Sequence, residues 1–209
     1  MTSKNEIKLN RSLQKVYNLS RKNKNETVLF WIFLDSNRIK DYAQFINLIP
    51  ESKKIGVVLR YKNNKKLYDY AKILLKICRR KRFKLLISTH YNIAKSIGAD
   101  GIHYPKKIRY ARKDKSIITS CSCHDYNDYK RARQLCADIV FISPIFNTLS
   151  DKNKKELGLN KISLLANYIN CQYSVLGGVS NKNIKIMMGR GINSVAGLKF
   201  ICEIINYKC

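Results

Sequence analysis

The chain has 209 residues, 45% hydrophobic and 26% charged, with 41 Lys and Arg against 14 Asp and Glu for a net charge of +27. That is enough chain for one sizeable core. No apolar run approaches the roughly 20 residues of a membrane helix, and the opening MTSKNEIKLNRSLQKVYNLS lacks the apolar stretch of a secretory signal, so a cytoplasmic protein is expected.

The lead-in, residues 1–26, carries Ile7, Leu9, Leu13, Val16, Tyr17 and Leu19 at spacings that predict an amphipathic helix. Short β-rich runs follow at 27–34, 55–60, 84–88, 100–104, 116–122, 138–143, 173–178 and 193–198. They are nearly continuous in apolar residues, as parallel strands covered on both faces are. Helical patterns fall between them at 65–81, 92–99, 125–137, 160–169 and 181–191. Asp125, Asn160 and Ser180 read as N-caps, and Gly98 and Gly189 or Gly191 suit helix C-termini. Eight runs alternating with helices predict an α/β fold: a single-domain (β/α)8 TIM barrel over 1–209 with an extra N-terminal helix. A doubly wound open sheet is the competitor, since alternation alone does not separate the two.

Seven cysteines, an odd number without an export signal, read as reduced thiols. Cys121, Cys123 and His124 sit within one strand-like run, which is poor zinc geometry. The charge predicts attraction to polyanions and nonspecific nucleic-acid binding at low salt. Composition offers another account, because Lys, Asn, Ile and Tyr are all abundant and all have A/T-rich codons. The densest basic run, RRKRFK at 79–84, falls at a helix end, where cations favour the macrodipole.

In a barrel, chemistry belongs at the C-terminal ends of the strands. Taken in order, those ends offer Arg60 and Lys62, Ser88, His103, then Ser122 and His124. The last three ends offer Thr148, Ser150 and Lys152 beyond Ser143 and Pro144, then Gly177 and Gly178, then Ala196 and Gly197. The rim is cationic and rich in hydroxyls, with almost no acids, which suits a phosphorylated small molecule. Glycines at the ends of the last two runs let backbone approach a ligand, and the helix starts beyond them offer N–H groups to an anion.

From the second run to the C-terminus, LRYK (59–62), IGADGIHYP (97–105), ADIVFISPIFNTLSDK (137–152), SVLGGVSNKNI (174–184) and GINSVAGLKFI (191–201) together resemble the thiamine phosphate synthase and thiazole tautomerase superfamily. The resemblance implies a barrel that couples an aminopyrimidine pyrophosphate to a thiazole phosphate. By position, Arg60, Lys62 and Lys152 would hold the leaving pyrophosphate and Ser122 would sit beside the pyrimidine cation. Thr148 and Ser150 would touch the thiazole phosphate, with Gly178 and Gly197 contributing N–H groups. The resemblance also implies Mg2+, yet the acids that would bind it are missing. Ser88 and Thr89 stand in place of an Asn-Asp pair, and Lys106, Lys107 and Ile108 occupy the stretch of a second Asp. Lys106 and Lys107 are therefore expected to supply part of the metal's charge, and no metal ligand is assigned. Two alternatives stay open: a thiazole tautomerase using His124, and a catalytically degenerate barrel that binds phosphate or nucleic acid. The oligomeric state, homo-oligomers included, is open as well.

Overall fold

The computed structural model describes residues 28–36, 38–61, 64–112, 114–147, 156–190, 192 and 194–208, together with Lys4, Ile7 and Arg11. Most of the N-terminal segment read as a helix and lead-in therefore lies outside the described residues, as do Lys62, Thr148, Ser150 and Lys152.

Eight strands pair in sequence order: β1 (Phe30–Asp35), β2 (Ile55–Arg60), β3 (Lys84–Ser88), β4 (Gly101–Tyr104), β5 (Ile118–Cys123), β6 (Ile139–Ile142), β7 (Gln172–Leu176) and β8 (Val195–Ala196). Every pairing is parallel, and β8 returns to β1 through Phe30↔Val195 and Trp31↔Ala196. That closure rules out the open sheet. Helices α1 (Tyr42–Asn47), α2 (Asn64–Arg80) and α3 (Tyr91–Ile97) follow the first three strands. Helices α4 (Tyr126–Gln134), α5 (Gly158–Ala166), α6 (Ile184–Gly189) and α7 (Lys199–Ile205) follow the last four.

Alternation sorts side chains into two cores. Trp31, Phe33, Val58, Leu86, Ile139, Phe141 and Ala196 fill the barrel interior. The other strand faces join the helices in a larger outer core that includes Phe30, Ile32, Leu34, Phe45, Leu74 and Phe200. Inside the barrel the bulk is asymmetric. Trp31 and Phe33 both meet Phe141 edge-on, at 5.5 and 4.8 Å between ring centroids. Gly56, in register with Trp31, leaves the indole its space: a Cβ there would stand 2.3 Å from two ring carbons. Burial of each large side chain contributes about 1.5–3 kcal/mol.

Polar staples fix the N-terminal end of the barrel. Asp100 accepts from the Leu85 amide (2.9 Å) and from Lys84 Nζ (2.8 Å), and Asp138 accepts from the Thr119 amide (2.8 Å). Each of these aspartates immediately precedes a strand and clamps the start of the strand before it. The basic run at the end of α2 is largely engaged with neighbouring helix ends. Arg79 donates to Gly98 O (3.2 Å), and Lys81 donates to Asn47 O and Ile49 O (2.7 Å each).

Three local readings need correction. Asn160 is not a cap: it lies inside α5, whose cap position is Leu157. The cysteines are not uniformly free thiols; Cys78, Cys121, Cys123, Cys136 and Cys171 are, whereas Cys202 is disulfide-bonded. Helices α1 and α7 have no counterpart among the predicted helices: α1 is six residues long, although its buried Tyr42, Phe45 and Ile46 keep the helical spacing, and α7, KFICEII, buries Phe200, Ile201, Cys202, Ile204 and Ile205 around most of its circumference.

Candidate active site

The C-terminal end of β5 gathers the most polar contacts. Its interior-facing residues, Ser120 and Ser122, alternate with Cys121 and Cys123, which face the outer core. Burial pushes both thiols up to about 12, so they stay uncharged and pack. From β4, His103 enters the same space. Its Nδ1 lies 3.0 Å from Ser120 Oγ and its Nε2 3.2 Å from Ser122 Oγ. The imidazole is 2% exposed and meets Phe33 and Phe141 edge-on. Burial first, then the cations of Arg60 and Arg131, pull its pKa down to about 3, so the ring is neutral.

His124 follows on the rim. Its Nδ1 lies 2.6 Å from the carbonyl oxygen of Ser143 at the end of β6, and its amide donates to Asp128 Oδ2 (2.9 Å). Asp125, not His124, caps α4: its side chain accepts from the Asp128 amide at 2.8 Å. Lys106 Nζ lies 3.2 Å from Asp128 Oδ2 and 3.4 Å from Asp125 Oδ2, so its charge is shared with two carboxylates at this mouth. Below them Arg131, nearly buried, donates to Ser122 O (2.6 Å), Ile108 O (2.7 Å) and Pro105 O (3.2 Å). This one guanidinium ties the segment after β4 to the end of β5. Sequence reasoning missed it, because nothing distinguishes Arg131 from the other cations of a +27 chain except its place on the buried stripe of α4 with Asp128, Tyr129 and Ala132.

Across the mouth, Arg60 ends β2 in register with Asp35 of β1, and its carbonyl accepts from Tyr42 Oη at 3.4 Å. Ser88 ends β3 in register with His103. The next residue, Thr89, has φ +68°, a left-handed conformation unusual for a β-branched residue. Its hydroxyl donates back to Ser88 O at 2.6 Å, and its amide donates to His103 O at 2.9 Å.

Beyond β7, Gly177 and Gly178 both have positive φ. At Gly178 the space is claimed by the chain itself: a Cβ would come within 2.6 Å of Phe146 Cβ and 2.9 Å of Asn147 O. Here the close approach that glycine permits is made by the segment leaving β6. That segment is pinned at both ends: Ile145 and Phe146 donate to Leu176 O and Gly177 O, Leu157 and Gly158 donate back to Pro144 O and Ile145 O, and Asn147 N donates to Glu156 Oε2. Phe146 and Asn147, which lead into residues 148–155, are thereby seated on the glycine pair. At β8, Ala196 is fully buried against the barrel interior, and the Gly197 amide donates to Trp31 O (2.9 Å). The Gly197 N–H expected for a phosphate is therefore committed to the barrel ladder.

A magnesium ion prefers carboxylate and phosphate oxygens in an octahedron. Among the described residues no three His, Cys, Asp or Glu side chains lie close enough to share an ion. The end of β3 offers hydroxyls, and Ile108 packs against the outer core. The positions that the resemblance assigns to the ion, Ser88, Thr89 and 106–108, therefore present no carboxylate to it.

Comparison with known proteins places this geometry in context. A family model described as thiamine monophosphate synthase matches residues 34–201. A chain of Aquifex aeolicus, provisionally named a thiamine-phosphate synthase, is 27% identical over 181 residues, 82% of this chain and 97% of that one. A Prochlorococcus marinus thiamine-phosphate synthase is 30% identical over 126 residues, 58% of this chain and 36% of that longer protein. Among solved structures, a thiamine phosphate pyrophosphorylase from Pyrococcus furiosus superposes with a TM-score of 0.68 at 14% identity, covering 86% of this chain and 96% of that one. At that identity the likeness supports the barrel alone.

Proposed function

The chain belongs to the thiamine monophosphate synthase family, and from that premise we propose that it couples an aminopyrimidine pyrophosphate to a thiazole phosphate. The observation that carries the reading is the convergence at one barrel mouth of Arg60, Ser122 and the anchored neck of the 148–155 segment. Pyrophosphate departs with the electron pair of the C–O bond, leaving a pyrimidine-stabilised cation. The thiazole nitrogen then donates its lone pair and the C–N bond forms. No oxidant is needed, and the charge created on the leaving group is the main barrier for the protein to lower.

Arg60, with Lys62 and Lys152, would stabilise the departing pyrophosphate. The Ser122 hydroxyl would place oxygen lone pairs beside the cation. Thr148 and Ser150 would hold the thiazole phosphate. A neutral His103 suits this chemistry, because an imidazolium in the same place would repel the cation. Magnesium bound with a pyrophosphate supplies charge neutralisation; since the positions that the resemblance assigns to the ion carry no carboxylate, the cationic side chains are assigned that task. Lys106 contributes less than the sequence reading expected, because Asp125 and Asp128 share it.

Steady-state release of pyrophosphate from the paired substrates tests the reading. Arg60→Ala and Ser122→Ala should each slow it, and a chelator should leave much of the rate. Complete loss on chelation contradicts the charge assignment, and absence of release with wild-type protein contradicts the coupling. One observation favours a second reading. With Nδ1 committed to Ser143 O, the other nitrogen of His124 is the one left for proton transfer, as a thiazole isomerisation requires.

A further inference from the structure

The coupling reading uses Ser122 and leaves its two buried supports, His103 and Arg131, without a role. Hydrogen-bond directions assign one. Ser120 Oγ has a single proton and donates it to Ile102 O (3.2 Å). Towards His103, Ser120 is therefore the acceptor, and the 3.0 Å contact places the imidazole proton on Nδ1. A neutral ring protonated on Nδ1 has a bare Nε2, and the group 3.2 Å from that nitrogen is the Ser122 hydroxyl, which must donate. The chain of donors runs from Ser122 to His103 to Ser120 to a strand carbonyl, with one direction throughout.

We propose that His103 is a positioning residue: it turns the Ser122 proton inward to Nε2 and so leaves both lone pairs of Ser122 Oγ for the ligand side of the mouth. The consequence for rate rests on the coupling reading; the orientation itself rests on geometry. A hydroxyl free to rotate would spend part of its time with its positive end towards a forming cation. A hydroxyl locked to a buried acceptor presents only oxygen, and this preorganisation lowers the barrier rather than the substrate affinity. The lock is stiff. Phe33 and Phe141 hold the ring by edge contacts at 5.3 and 5.5 Å, and Arg131 fixes the Ser122 carbonyl at 2.6 Å. The charged groups that act on the ring, Arg60 from β2 and Arg131 from α4, are both cations and keep it neutral.

The test has two arms. A long-range proton–nitrogen spectrum of histidine-labelled protein should show His103 as the Nδ1–H tautomer, unchanged from about pH 5 to 8. Its Nε2 signal should move when Ser122→Ala removes the donor. An Nε2–H tautomer, or titration within that range, overturns the proposal. In the coupling assay, His103→Leu should lower kcat on the order of a hundred-fold, the lower end for one lost preorganised dipole, with KM for both substrates little changed. His103→Gln, which keeps an acceptor, should recover most of the rate, and His103→Leu combined with Ser122→Ala should be no slower than Ser122→Ala alone. Additive losses, or no recovery with Gln, overturn it. If the wild-type protein shows no coupling, the functional reading falls, and the spectrum decides alone whether His103 holds Ser122.

Discussion

Gly178→Ala and Gly158→Ala form a matched pair that separates backbone strain from a steric demand of the mouth. Both glycines have nearly the same left-handed φ, +70° and +69°. Placing an L-residue there costs about 1–2 kcal/mol, partly offset by about 0.4–1 kcal/mol from a stiffer unfolded chain. At Gly158 nothing lies within 4 Å of the new Cβ, so that balance is the whole effect: about 1.6 kcal/mol or less. At Gly178 the Cβ would meet Phe146 Cβ at 2.6 Å and Asn147 O at 2.9 Å, and both contacts are with main-chain or Cβ atoms that no rotamer change moves. Overpacking of this kind adds about 1–3 kcal/mol. Thermal unfolding should therefore fall by at most about 6 °C for Gly158→Ala and by about 2–12 °C more than that for Gly178→Ala, at about 2–4 °C per kcal/mol for a chain of this size. Whatever strain the neck absorbs moves the segment that carries Thr148, Ser150 and Lys152, so KM for the thiazole phosphate should rise in Gly178→Ala only. Equal melting shifts in the two variants would refute the contact argument.

Folded His103 is neutral down to about pH 3, whereas the unfolded residue takes up a proton below its ordinary 6.5, so between those values the unfolded state binds more protons. Stability from this group should thus decline as pH falls through 6.5 towards 3, by up to about 1.4 kcal/mol per pH unit, and denaturant titrations of His103→Gln should lack that slope; an unchanged slope contradicts the assigned neutrality. Arg131→Met keeps much of the aliphatic bulk but strands three carbonyls, so it should destabilise by about 2–4 kcal/mol and raise amide exchange at 106–108; a loss below about 0.5 kcal/mol would mean that water replaces the guanidinium without penalty. His124→Asn should leave coupling within a few-fold of wild type; a collapse of coupling would contradict its peripheral place, and loss of a thiazole isomerisation would promote the second reading.

The barrel was legible because parallel strands covered on both faces write themselves as apolar runs, and each of the eight runs contains or overlaps an observed strand. What periodicity cannot carry is closure, which depends on two short contacts between β1 and β8. It also missed α7, where burial around most of the helix erases the pattern. At the site, residue type and position at a strand end nominated Ser122, His124 and Arg60 as candidates, and the structure sets all three at the same end of the barrel. The same reasoning did not foresee that the empty Cβ position of Gly178 serves Phe146 and Asn147, or that the Gly197 amide stays in the ladder. His103 and Arg131 could not be ranked from sequence, since their importance lies in hydrogen-bond partners 9 to 26 residues away along the chain. The paired aspartates at 100 and 138 read as family signature, and the structure gives them a mechanical reason as clamps on the strands before them.

The central claim is tested most directly by mixing the purified protein with the aminopyrimidine pyrophosphate and the thiazole phosphate and following the products by mass. The account predicts thiamine phosphate and pyrophosphate in equal amounts, formed only when both substrates are present and slowed by Arg60→Ala. Binding of both substrates without any condensed product would contradict it.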